Sequence, residues 1–197
     1  MSGIISDNVG RASGLTKAVA APSSDFVKLA TASFANTANC SMDGYFTNVY
    51  DTYLIQLTGV QAYDTSTDIS CTFRRSDTEV TASSYNQQIG RIYGGSSSDA
   101  SGQKGAPYRL FYTQSNASYP NHSNNVNIWL FDPLNETGGT DRFATMLYHA
   151  SSWTGSTDLY NFQGAVGLYD ATTAISGFTI GGPNNININK MTLYGLK

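Results

Sequence analysis

Side chains able to do acid–base or nucleophilic chemistry are few in this chain. Two histidines occur: His122 in the polar run Pro120-Asn121-His122-Ser123-Asn124, and His149, which follows Tyr148 at an expected strand end. A Ser-His-Asp triad draws its members from distant parts of a chain, and the G-x-S-x-G turn that often carries the serine is absent. Glycoside hydrolysis needs two carboxylates about 5–10 Å apart across a cleft. Only Glu79 and Glu136 are glutamates, and the aspartates fall mostly in turn contexts such as Asp43-Gly44, Tyr63-Asp64-Thr65 and Asp132-Pro133. An aspartate there caps the turn by accepting from nearby backbone amides. No D-x-D-x-D-G loop points to calcium, and neither Gly94-Gly95 nor Gly138-Gly139 leads into the Gly-Lys-Ser/Thr of a phosphate loop. The expectation is a non-enzymatic chain with no cofactor and no metal.

Cys40 and Cys71 lack the C-x-x-C spacing of a metal site. Cys40 alternates with Met42, and Cys71 lies between Ile69 and Phe73, so both are expected as reduced thiols packed like small hydrophobes. A disulfide between them would require neighbouring strands and an oxidising compartment. Sequons at Asn39, Asn116, Asn121 and Asn135 would matter only in a secretory pathway.

Aromatic residues in polar surroundings are the binding candidates. Trp153, within Ser151-Ser152-Trp153-Thr154-Gly155, and Tyr119 fall outside clear alternation. Such a ring can stack on a sugar, fold back as a lid over the end of the domain, or fill a subunit interface. Arg91 and Arg109 alternate with tyrosines and are expected to be stacked or paired at an interface. Arg74-Arg75, surrounded by Asp68, Asp77 and Glu79, reads as a solvated strand end.

The elements that must position these groups are β-strands. The chain has 197 residues, of which 40% are hydrophobic, 12% aromatic and 13% charged, with 13 Tyr against 9 Phe and 2 Trp. An average domain carries about 25% charged residues, so hydroxyls and amides here replace charge. Disorder, helical bundles and coiled coils are excluded by this composition. A net charge of −3 argues against nucleic acid, which calls for clustered Lys and Arg. No run approaches 18 apolar residues, so no membrane-crossing helix is expected. Met1 to Asp7 shows no basic segment followed by an apolar one, so no signal peptide is expected and synthesis in a cytosol follows.

From Phe26 onward, period-2 segments follow one another between turn residues, for example Tyr53-Ile55-Leu57, Ile69-Cys71-Phe73 and Phe162-Gly164-Val166-Leu168. Val126, Ile128 and Leu130 alternate with Asn127, Trp129 and Phe131, which predicts a strand buried on both faces. Ala144 to Ala150 is the most helix-tolerant piece. Ile186 and Ile188 are even-numbered while Met191 and Leu193 are odd-numbered, which predicts a bulge near Asn189-Lys190. Clusters of Ser, Gly and Asn at 94–105, 115–125, 135–140 and 181–185 read as loops. Roughly nine or ten strands at this spacing indicate an antiparallel β-sandwich or jelly roll over residues 25–197. Residues 1–24 show no periodicity and read as an extended arm. Ile4, Ile5, Val9 and Leu15 in it gain burial only by docking on a partner or on the domain body.

Three stretches together resemble a family of bacteriophage virion proteins, especially from phages of aquatic bacteria. The start, from Ser2-Gly3-Ile4-Ile5-Ser6-Asp7 through Asn8-Val9-Gly10-Arg11-Ala12-Ser13-Gly14-Leu15, resembles their leader. Phe46 through Ile55 is similar to their F-x-x-x-Y-D-x-Y-x-I strand, and Met191-Thr192-Leu193-Tyr194-Gly195-Leu196-Lys197 to their terminal V-x-V-Y-G-L-K. Gly177-Phe178-Thr179-Ile180 also resembles the G-F-T-L that precedes that ending. The resemblance implies a β-sandwich surface component of a virion, assembled in the host cytoplasm. It also implies a homotrimer bound to other capsid or tail proteins, either a capsid decoration or a short tail fibre. No catalytic residue comes with it. One departure is that the leader runs directly into a single domain with no fibrous shaft, which favours a short knob or a decoration. A host-surface glycan is the alternative partner, with Trp153 and Tyr119 as the stacking rings.

Overall fold

A computed structural model of the chain describes residues 25–80, 85–93, 98–104, 109–113, 123–134, 143–154, 158–169 and 174–197. The expected arm at 1–24, with Ile4, Ile5, Val9 and Leu15, lies outside these residues, as do Tyr119 and His122. Among the described residues there are eleven strands and no helix. They are β1 (Phe26–Asp43), β2 (Thr52–Ala62), β3 (Thr67–Arg75), β4 (Thr78–Glu79), β5 (Tyr85–Tyr93) and β6 (Ser98–Lys104). The chain continues through β7 (Arg109–Thr113), β8 (Asn124–Phe131), β9 (Phe143–Thr154), β10 (Asp158–Tyr169) and β11 (Gly177–Leu196).

All pairings are antiparallel, and β11 organises them. It runs beside β1 along its whole length, beside β3 through Gly177–Gly181, and beside β2 through Ile186–Leu196. From β2 the sheet continues through β8, β9, β10, β5 and β6, and from β3 to β4 and β7. The sheet curls on itself, so its two ends meet across the core. β7 comes up against β9 and β10. Tyr85, on the distant strand β5, stacks on Phe73 of β3 at 6.0 Å and accepts a hydrogen bond from the Phe73 amide at 3.0 Å. Its hydroxyl also donates to the Val80 carbonyl at 3.2 Å. A buried Tyr hydroxyl must find such partners, and here they tie the far side of the sheet to β3.

The motifs at Phe46–Ile55, Gly177–Ile180 and Met191–Lys197 converge on one packed cluster. Tyr53 and Ile55 pair with Gly195 and Leu193. The Tyr50 ring covers Gly195, where a Cβ would come within 2.5 Å of it. Phe46 lies 4.6 Å from Tyr53 and stacks at 6.3 Å on Phe178.

The parity change in β11 coincides with a bulge that crosses three strands. Two residues of β11, Asn189 and Lys190, lie opposite one of β1, and the β1 register shifts between Ala32 and Phe34. On β2 the buried set changes from Tyr53, Ile55 and Leu57 to Val60 and Ala62, with a matching register shift against β8. Gly59 carries this step at φ +68°, and the Asn189 side chain lies directly over it. A left-handed residue with no Cβ is what such a bulge requires.

Several expectations need correction. Residues 98–104 form strand β6, not a loop, because β5 supplies a free edge beside them. The strand β11 also runs through 181–185, past Pro183. Asn185 Nδ2 donates to Asn36 Oδ1 and the Asn36 amide donates to Asn187 Oδ1, both at 2.8 Å, which fastens the irregular stretch of β1 beside it. The strand β9 continues to Thr154, which places His149 in mid-strand and not at a strand end. β8 is buried on one face alone: Asn125, Asn127 and Phe131 are exposed and Trp129 is half-buried. The Trp129 ring is shielded by Phe26, edge-on at 6.1 Å.

Candidate functional site

Burial sorts the titratable groups first. Cys40 and Cys71 are free and buried, on either side of Ile180 in one cross-strand row. Strands spaced about 4.8 Å apart separate them by about 10 Å, beyond the reach of a disulfide. Burial pushes both thiols up to about 12, with the Glu79 carboxylate adding to the effect at Cys71. A thiol so shifted stays protonated and is a poor nucleophile.

On the opposite face of β1, β11 and β3 lies a polar knot. Arg74 Nε donates to Asp43 Oδ2 at 3.0 Å, and Arg74 Nη1 to Thr179 Oγ1 at 3.2 Å. The two-residue turn Ser76-Asp77 has positive φ at both positions, 45° and 67°, as a type I′ hairpin demands. Neither residue is glycine, and hydrogen bonds hold the turn instead. The Asp77 amide donates to Asp43 Oδ2 at 3.0 Å, the Ser76 amide to Ser176 Oγ at 2.9 Å, and Arg74 Nη2 to the Asp77 carbonyl. Burial raises the pKa of Asp43, but hydrogen bonds from Ser176, Arg74 and the amides of Gly44 and Asp77 outweigh it. The net shift is below the ordinary aspartate value. Arg74 is thus a structural anchor and not the solvated strand end read from sequence, because its partner Asp43 stands 31 residues away.

Trp153 is the one sequence-singled binding residue that lies within the described set. It stands on β9 in regular alternation, facing outward and 39% exposed. Its backbone is held from below: the Trp153 amide donates to Asn124 Oδ1 at 2.9 Å. Asn124 is fully buried and donates through Nδ2 to the Val60 carbonyl at 2.9 Å and to Thr113 Oγ1 at 2.6 Å. One amide therefore joins the β2 bulge, β7 and the end of β9. Across the ladder from Trp153 is Leu159, also exposed at 43%.

From Trp153 the outward face extends over β8, β9, β10 and β5. Its described side chains include no Lys, Arg, Asp or Glu. His149 stands between Asn127 of β8 and Gln163 of β10. Gln56 Nε2 donates to Asn127 Oδ1 at 3.2 Å. Beyond Gln163 the face dips into a groove of about 490 Å³, floored by Gly90, Gly164, Ala100 and Ala165 and flanked by Gln88 and Gln163. Beneath it Tyr148 fills the space that Gly164 leaves, and its hydroxyl accepts from Gln87 Nε2 at 3.1 Å. Burial raises the Tyr148 phenol to about 12. The glutamines and asparagines of this face were not singled out from sequence. Their signal was present as the polar alternates of apolar strands, which reads equally as plain solvent exposure.

Among the described residues no three His, Cys, Asp or Glu side chains gather as a metal site. Neither a known family model nor a curated protein matches the chain.

Proposed function

We propose that this chain is a non-enzymatic surface component of a bacteriophage virion, a trimeric β-sandwich of the capsid-decoration or short tail-fibre type. Residues 1–24 dock it onto neighbouring capsid or tail proteins. The observation that carries the reading is the convergence of Phe46, Tyr50, Tyr53, Phe178 and Gly195. The stretches 46–55, 177–180 and 191–197, each with a phage-like pattern, meet as one packing unit beside the central strand β11. Matching a residue pattern across three distant stretches is a demanding coincidence unless those stretches form a common unit. The low charge agrees, since interface cores are depleted in charged residues and enriched in Tyr.

Immunogold electron microscopy of virions purified from the host culture tests it, together with sedimentation of the isolated protein. Gold on particles and a trimer in solution are expected. Deleting residues 1–20 should abolish incorporation while the domain stays folded. A stable monomer absent from every particle overturns the proposal.

A further inference from the structure

On the outward face, side chains align in rows that run across the strands. One row reads Gln56, Asn127, His149 and Gln163, and then reaches Gly90 at the groove. The next reads Leu54, Trp129, Leu147 and Ala165, and ends on Gln88. Asn127, His149, Gln163 and Gln88 are all exposed, and Leu147 is 45% exposed. The first row carries amides and an imidazole at strand spacing, about 4.8 Å. The second lays apolar surface directly beside it.

We infer that this face is a binding site for a neutral polysaccharide, whose chain lies across the strands and enters the groove between Gln88 and Gln163. An amide donates and accepts at once, as each sugar hydroxyl does, so a line of amides matches a line of hydroxyls. Leu147, Ala165 and the rim of Trp129 offer apolar surface to the C–H faces of the sugar rings. The absence of Lys, Arg, Asp and Glu from the described outward-facing side chains of β8, β9, β10 and β5 fits an uncharged ligand over a sialylated, sulfated or phosphorylated one. The groove volume falls within the range of ligand sites, about 300–1,000 Å³, and its floor of small residues lets a ring approach the backbone. A second copy of this chain is the competing occupant. It is disfavoured because a subunit interface centres its apolar residues and confines polar ones to the rim, whereas here exposed amides hold the centre. The inference does not rest on the virion reading, and either can fail alone.

Calorimetric titration of the full chain with neutral hexose and pentose oligosaccharides, beside sialylated and phosphorylated ones, decides it. At least one neutral oligosaccharide should bind, and the charged ones no better. Gln163→Ala removes an amide, and Gly90→Val fills the groove. The nearest atom to a Cβ at Gly90 is 3.7 Å away, so the strand tolerates the change. Each variant should weaken binding by about tenfold while the melting temperature stays near the parent value. No binding of any neutral oligosaccharide at millimolar concentration overturns the proposal, as does binding that both variants retain. It is overturned equally if the parent sediments as an oligomer that Leu147→Asp turns into monomer, which would give the face to a second copy.

Discussion

The Trp153 backbone amide donates to Asn124 Oδ1 at 2.9 Å, so an exposed aromatic residue is positioned by a fully buried one. The same Asn124 satisfies the Val60 carbonyl and the Thr113 hydroxyl, and these groups lie on three different strands. A buried polar node of this kind stabilises only while every member is paired.

Asn124→Leu keeps the volume and removes all three hydrogen bonds, those to the Val60 carbonyl, the Thr113 hydroxyl and the Trp153 amide. The expected loss is about 3 kcal/mol or more, a fall in melting temperature of roughly 6–12 °C. Thermal unfolding followed by circular dichroism measures it, and a loss below 1 kcal/mol would contradict the role given to Asn124.

At the bulge, Gly59→Ala meets two separate obstacles. Its φ of +68° disfavours any Cβ, and that Cβ would lie 2.3 Å from Asn189 Nδ2. A destabilisation of about 2–4 kcal/mol is expected in the parent, falling to about 1–2 kcal/mol in an Asn189→Gly background, where the overlapping Cβ, Cγ and Nδ2 are all gone. Chemical denaturation of the four proteins of this cycle separates backbone strain from overlap, and equal losses in both backgrounds would rule out the overlap.

The thiols predict chemical silence. With both shifted up to about 12 and buried, native protein at pH 8 should react with a thiol reagent only as fast as it unfolds. In denaturant both cysteines should titrate at once. Rapid labelling of the native state, or an intact mass two hydrogens lighter, would show another arrangement.

Asp43 makes stability depend on pH at the acid end. Its folded pKa lies below the unfolded value, near 3.8, so its contribution is complete above that value and is lost as pH falls through the folded pKa. Asp43→Asn should therefore lower the melting temperature at neutral pH and flatten its decline below about pH 4. If parent and variant decline in parallel as pH falls, the hydrogen bonds to Asp43 do not carry this dependence.

Much of the fold was legible because its signals are local. Alternation in Tyr53-Ile55-Leu57 and Ile69-Cys71-Phe73 names the inward face of a strand whatever its neighbours are. The parity change between Ile188 and Met191 located the bulge, since a core-facing set can change phase only by an extra residue. Composition excluded helix, and the described residues are all-β. Burial of both thiols was visible in their apolar neighbours.

What the tertiary structure alone decided was pairing and coverage. Which strand lies beside β11, and hence that Cys40 and Cys71 sit two strands apart, depends on contacts between distant segments. Asp43 finding Arg74 and Asn124 reaching Trp153 are of the same kind. Alternation in β8 looked apolar on both sides because Trp129 and Phe131 are hydrophobic by type. Their exposure followed from the absence of a covering layer over that face among the described residues, apart from the edge of Phe26. The alignment of Gln56, Asn127, His149 and Gln163 into one row was likewise invisible in a linear chain, because four strands had to pair in register before their polar alternates became a surface.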